Sequence, residues 1–307
     1  MVQSRCMESL SRRNFVELCT VAGAGVAAMP SLFAGDKSPR NKFTLFTKQL
    51  ESLSYDRLAE VVAEMGFDGI EGTVRPGGHV TPERVPDDLP KFVGALKKCG
   101  LELVIMASGI NNAKDPLNVQ QLRVAAKLGV RRYRMKYFMY DLKKPVAKQL
   151  DEIRPVLKDL AALNRELGLQ GVYQNHSGRD YVGAPIWDLV DLFKAHDPKH
   201  LAIAFDVGHA TLEGTHTHAV QSNLAQPYLG SIYVKSFRRE GNKIVWCALS
   251  QGVVDKQWVR AMVAANPSVP VNLHEEYIDH LDPKLVPEHL QAMRRDMATL
   301  KEWLGWA

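Results

Sequence analysis

Cysteine is scarce in this chain. Of the four present, Cys6 and Cys19 fall in the first 34 residues. Cys99 and Cys247 are left for the body, too few for a disulfide framework and too far apart for a zinc knuckle. Long apolar runs are missing as well. After the N-terminus no stretch of about 18 apolar residues occurs, so no membrane span is expected in the mature chain. No G-x-G-x-x-G or G-x-x-x-x-G-K-[ST] turn is present, which argues against a doubly wound nucleotide-binding sheet. A strong excess of one charge is also lacking. The formal net charge is +5; dropping residues 1–34 removes three arginines and two glutamates and leaves +4. So mild an excess, spread over the chain, does not point to nucleic acid.

What is present starts with the first 34 residues. Ser11-Arg12-Arg13-Asn14-Phe15-Val16 resembles a twin-arginine export signal. A weakly apolar stretch rich in Ala and Gly follows, and Leu32-Phe33-Ala34 suits the end of a cleavage site. Residues 1–34 are therefore set aside as a signal segment, with export to the periplasm expected. Glu17 beside Leu18-Cys19 spoils a lipid-attachment box.

From residue 42 onward, short β-like runs alternate with amphipathic helical stretches. Strands are expected at 43–46, 69–74, 101–107, 131–137, 171–176, 202–206, 231–235 and 271–276. The helices between them are expected at 53–65, 90–99, 118–128, 146–167, 185–195, 218–228, 255–264 and 286–303. Several close on a glycine (Gly66, Gly100, Gly129, Gly168), as helices commonly do. Eight such units close a single (β/α)₈ TIM barrel over residues 42–303, and the hydrophobic share of 46% allows its core. Long loops are expected after strands two (75–89), five (177–184) and seven (237–251).

In such barrels the C-terminal strand ends form the active site. Side chains alternate along a strand, so residues two apart share a face. The strand ends here offer Glu71 with Arg75 and His79, Arg134 and Lys136, and Gln174 with Asn175 and His176. They continue with Asp206 and His209, then Tyr233 and Lys235, then His274 and Glu276. Several have structural readings too: Glu71 pairing with Arg134 or Lys136, Tyr233 as core, Asp206 as a helix cap. Asp206 and Glu276 are the pair hardest to read as structural, because two carboxylates at one mouth repel unless a cation or proton lies between them.

FDGIEGTVRPGGHV, YQNHSG, FDVGHA, YVKSF and HEEY, in this order, resemble the xylose isomerase-like TIM barrels, the sugar phosphate isomerase/epimerase superfamily. The resemblance covers roughly residues 42 to 303. It implies a divalent metal (Mn, Mg, Co or Zn) held by Glu, Asp, His and Glu on strands five to eight. Asp206 and Glu276 match that set, whereas Gln174 and Tyr233 stand where Glu and His are usual. His176 and His209 could complete the ligands, or Lys235 and Lys136 could supply the positive charge instead. The implied chemistry is proton abstraction next to a carbonyl of a sugar or keto-sugar. Glu71 or a histidine such as His274 would act as base, and Lys235 and Lys136 as electrophiles. Arg75, His79, Arg134, Gln174 and Asn175 would hold substrate. The alternatives are a keto-sugar or cyclitol lyase resembling inosose dehydratase, and a non-catalytic sugar-binding barrel. An oligomer is possible.

Overall fold

The computed structural model describes residues 41–306. The expected export signal at 1–34 lies outside the described residues.

Eight parallel strands form a closed barrel, so the expected (β/α)₈ architecture is observed. They are β1 (Phe43–Phe46), β2 (Gly69–Val74), β3 (Glu102–Ser108), β4 (Arg132–Arg134), β5 (Gln170–Gln174), β6 (Leu201–Asp206), β7 (Leu229–Val234) and, closing the ring, β10 (Val271–Leu273). The last strand pairs with the first through Phe43–Val271, Thr44–Asn272 and Leu45–Leu273. Around them lie α1 (Tyr55–Met65), α2 (Val85–Lys98), α3 (Pro116–Lys127), α4 (Val146–Leu167), α5 (Ile186–Phe193), α6 (Val207–Gly214), α7 (His218–Ala225), α8 (Lys256–Ala264) and α9 (Val286–Leu304).

The alternation of β6 explains how the barrel divides its side chains. Leu201, Ile203 and Phe205 join the large core between strands and helices, while Ala202 and Ala204 belong to a small cluster with Val172 and Tyr233. Asp206 continues the Ala202–Ala204 row. The same rule places Gln174 in line with Val172, and Lys235 in line with Tyr233.

Several expectations change in detail; strands five and eight, for instance, end at Gln174 and Leu273 rather than at residues 176 and 276. Strand four ends at Arg134 rather than residue 137. Helix α2 starts at Val85, after a 3₁₀ turn at Pro82–Arg84, because prolines are tolerated in a first turn; Pro90 lies inside the helix. Helix α6 begins at once after Asp206, ahead of the helix expected at 218–228. The stretch 237–251 is no plain loop. It contains an antiparallel hairpin, β8 (Ser236–Glu240) and β9 (Lys243–Cys247), turning at Gly241 with φ of 59°.

Candidate active site

Two polar layers sit at the C-terminal ends of the strands. The deeper one is centred on Glu71 of β2, which is fully buried. Its Oε1 lies 3.1 Å from Arg134 Nε and accepts from the Tyr233 hydroxyl at 3.1 Å. Its Oε2 lies 3.1 Å from His274 Nε2 and accepts from the Asn272 amide. Burial alone would raise this carboxyl, but the Arg134 charge and the bond from His274 outweigh it and hold Glu71 below the usual range. An ionised carboxylate with both oxygens engaged is a structural anion. Glu71, one of the groups expected as base, is thus engaged by four side chains. His274, also expected in catalysis, lies between the rings of Phe46 and Tyr233 and bridges Glu71 to Glu276, with Nδ1 3.4 Å from Glu276 Oε2. Neither Glu71 nor His274 lines the cavity above.

The upper layer is built on Lys235, which directly follows β7. Its Nζ lies 2.7 Å from Glu276 Oε2 and 3.3 Å from Asp206 Oδ2. Lys48, just after β1, reaches Glu276 Oε1 at 2.5 Å. Asp206 Oδ2 also accepts from Gln174 Nε2 at 2.7 Å, and its Oδ1 caps α6 by accepting from the His209 N–H at 3.0 Å. The helix-cap and ion-pair readings of Asp206 therefore hold together. Burial would raise the Asp206 carboxyl, but His209 and the Lys235 ammonium overcome it and bring it to about 2. Burial likewise opposes Lys235, yet the two carboxylates raise it above the ordinary lysine value, so its charge is retained.

This donor set does not fit a divalent ion. Glu276 is engaged by two ammonium groups, and Asp206 by an ammonium and an amide N–H. Gln174 turns its N–H, not its oxygen, toward Asp206; its oxygen accepts from Arg134 Nη1 at 3.0 Å and the Tyr137 hydroxyl at 2.5 Å. Among the described residues no three His, Cys, Asp or Glu side chains are grouped as a metal site requires. The expected set of Asp206, Glu276, His176 and His209 is thus not assembled, because Lys235 occupies the space between the two carboxylates.

The two histidine rings pack against each other instead, tilted by 40° with centroids 3.9 Å apart. His209 is buried: Nδ1 lies 2.7 Å from the Ser177 hydroxyl, and Nε2 has no hydrogen-bond partner. His176 Nδ1 lies 2.8 Å from the Ser177 carbonyl, an acceptor only, so Nδ1 carries the hydrogen and Nε2 the lone pair. Burial and then the Lys235 ammonium lower the His176 pKa, favouring the neutral ring.

Above this layer lies a cavity of about 580 Å³, within the range of small-molecule sites. His176, Lys235, Glu276, Lys48, Arg75 and Lys136 all line it. Arg75 is half-buried and Lys136 is exposed at the rim. Two of the expected substrate ligands lie elsewhere. Asn175 clamps the Asp206 backbone, accepting from its N–H at 2.7 Å and donating to its carbonyl at 3.1 Å. His79 is buried against Phe92, its Nε2 3.0 Å from both the Thr47 hydroxyl and carbonyl. The turn at Gly77, with φ of 75°, folds this loop back so that Val80 bridges Val74.

Sequence reasoning missed Lys48, Tyr137 and Trp246. Lys48 was accessible to it, being two residues beyond the inward Phe46. Trp246 belongs to the unforeseen hairpin, and its ring centroid is 4.6 Å from Lys235 Nζ. No sequence signal pointed to Tyr137, which lies beyond the end of β4.

Residues 59–302 match the family model described as the xylose isomerase-like TIM barrel. Many solved structures share the fold, among them the following three. A 3-keto-D-glucoside 4-epimerase from E. coli is 16% identical, with TM-score 0.63, covering 86% of this chain and 100% of its own. A probable 3-DHS dehydratase from Bacillus anthracis is 13% identical, with TM-score 0.64, covering 82% and 98%. A xylose isomerase-like TIM barrel protein from Mycobacterium smegmatis, in complex with magnesium, is 15% identical, with TM-score 0.62, covering 86% and 98%. No curated protein matches the sequence.

Proposed function

The chain belongs to the xylose isomerase-like TIM-barrel family, and we propose that it is an enzyme of the sugar isomerase/epimerase class. It moves a proton next to the carbonyl of a small sugar or keto-sugar. The observation that carries this reading is a charged Lys235, fixed between Asp206 and Glu276, sharing one cavity with a neutral His176. The substrate carbonyl oxygen lies on the Lys235 side and the C–H bond beside it faces His176.

His176 Nε2 takes the proton from carbon. The bonding pair moves into the new C=C bond, and the carbonyl π pair moves to oxygen as an enolate. Lys235 stabilises that oxygen, the service a Lewis acid would otherwise provide, and such preorganised charge is commonly worth ~10²–10³ in rate. Return of the proton from His176 to the former carbonyl carbon, with the hydroxyl proton of the enediolate passing to the former carbonyl oxygen, gives the isomer. The epimer forms instead when solvent water protonates the same carbon on the opposite face and His176 gives its proton back to solvent. Asp206 and Glu276 keep Lys235 charged and in place. The twin-arginine motif supports export as part of the same proposal.

The test is proton exchange in D₂O, followed by NMR over a panel of aldoses, ketoses and 3-keto-glycosides together with sugar acids and sugar phosphates. Deuterium is expected at a carbon next to the carbonyl, at a rate unchanged by EDTA. His176→Ala and Lys235→Met should each slow exchange by about 100-fold or more. An EDTA-sensitive rate restored by Mn²⁺ would remove Lys235 from the electrophile's role. Exchange with loss of a β-hydroxyl would assign the lyase reaction, and no exchange on any member would sink the enzyme reading.

A further inference from the structure

The cavity holds more positive charge than the reaction uses. Five cationic side chains line it, Lys48, Arg75, Arg134, Lys136 and Lys235, against two carboxylates, Glu83 and Glu276. Three of the five are already paired: Lys235 with Asp206 and Glu276, Lys48 with Glu276, and Arg134 with Glu71. Arg75 and Lys136 are not, since among the described residues neither has a carboxylate within 4 Å. Glu51 and Glu71 act on Arg75 only through space: Glu51 accepts from the Thr73 hydroxyl at 2.7 Å and Glu71 is held by Arg134.

We propose that the wall formed by Arg75 at the end of β2 and Lys136 beyond β4 is a subsite for an anionic group, a carboxylate or phosphate carried by the substrate away from its reacting carbon. Arg75 is half-buried with Arg134 as its strongest charged neighbour, and burial and that like charge both lower its pKa. An anion relieves both costs, and a guanidinium can grip carboxylate or phosphate through two N–H groups. Lys136, on a flexible stem at the rim, adds a second charge. Gln121 of α3 lines the same cavity, and its Oε1 is buried with no hydrogen-bond partner. A hydroxyl beside the anion would satisfy it. The ligand drawn by this wall is therefore a hydroxylated acid, such as a sugar acid or a sugar phosphate, rather than a neutral sugar.

The subsite's link to the reacting carbon rests on the enzyme reading above, but anion binding is measurable without turnover. Calorimetry on the purified full chain at fixed ionic strength would compare D-gluconate and D-glucuronate, D-glucose 6-phosphate, and neutral D-glucose and D-fructose. The anions should bind at least about tenfold more tightly than the neutral sugars. Arg75→Gln and Lys136→Gln should each weaken anion binding about tenfold, leaving neutral-sugar binding and the melting temperature unchanged. Lys127→Gln, on the exposed face of α3, controls for net charge and should change nothing. Tighter binding in the carboxylate or the phosphate arm identifies the group. Equal affinity for charged and neutral sugars, or unchanged anion binding in Arg75→Gln, overturns the proposal. His176→Ala should abolish exchange yet keep anion binding, so failure of the catalytic reading and failure of the subsite are separately visible.

Discussion

Lys235 stays charged in a buried site because Asp206 and Glu276 together outweigh its desolvation. Lys235→Met removes that balance and leaves the buried Asp206 without its ammonium partner, while the part-buried Glu276 keeps only Lys48. Stability at neutral pH is expected to fall by about 3–5 kcal/mol in urea unfolding, the usual cost of breaking a buried pair from one side. Lys235→Met combined with Glu276→Gln should recover part of it. Acid reveals the same pairing. The folded Asp206 value lies near 2 against an unfolded value near 3.8. Its contribution, about 2 kcal/mol, is therefore complete above pH 3.8 and lost as pH falls toward 2. His176 gives the activity profile a different limb. Its folded pKa is lowered, so the basic form is already dominant at pH 6.5; activity should be flat above that pH and fall as the ring is protonated at lower pH. At this scale the sequence was partly legible. Alternation and strand ends placed Asp206, Lys235 and Glu276 at the mouth and raised the question of a cation between the carboxylates. They gave the face of each residue but not its depth, so Glu71 and His274, one layer below the cavity, read like site residues.

The secondary elements show why some neighbours were foreseen and others not. Helical periodicity closed by glycine located α1 and α4, whose C-caps at Gly66 and Gly168 are left-handed. The hairpin β8–β9 was hidden because Phe237-Arg238-Arg239-Glu240 is charged and half exposed, with little of a strand's apolar alternation. Yet the hairpin brings Trp246 over Lys235 and against Gly208, where an added Cβ would lie 2.9 Å from Lys235 Cγ and 3.1 Å from the indole. Helix α9 carries an instructive cost of its own. Asp296 accepts from the Leu249 N–H at 3.0 Å, and burial raises its pKa to about 6. Sign matters here. The folded state binds this proton more tightly than the unfolded chain, so the ionised form at pH 7 opposes folding, and the penalty fades as pH falls through 6 toward 3.8. Asp296→Asn keeps the acceptor for Leu249 and removes the charge. It should raise the urea midpoint at pH 7 by an amount corresponding to about 1–3 kcal/mol, and the gain should vanish by about pH 4.

For the molecule as a whole, the count of eight strand–helix units was the most legible feature, because closure of a parallel barrel needs a fixed number of units and each left its own apolar run. What the count could not convey is how the ring is sealed. The Thr44 hydroxyl donates to Asn272 Oδ1 at 2.8 Å, joining side chains 228 residues apart in sequence. A chain ending at residue 266 would lack β10 and expose parallel edges on β1 and β7, so it should be recovered as aggregate rather than as a smaller folded barrel.

That seam also gives synthesis a timetable. At about 5–20 residues per second, roughly 10 to 50 seconds separate the appearance of β1 at the ribosome from that of β10. Glu276 comes three residues after β10, so Asp206 and Lys235 exist in the growing chain before their third partner does. During that interval the nascent protein holds an unfinished ring with two open edges. Only the arrival of β10 pairs both edges and closes the ring.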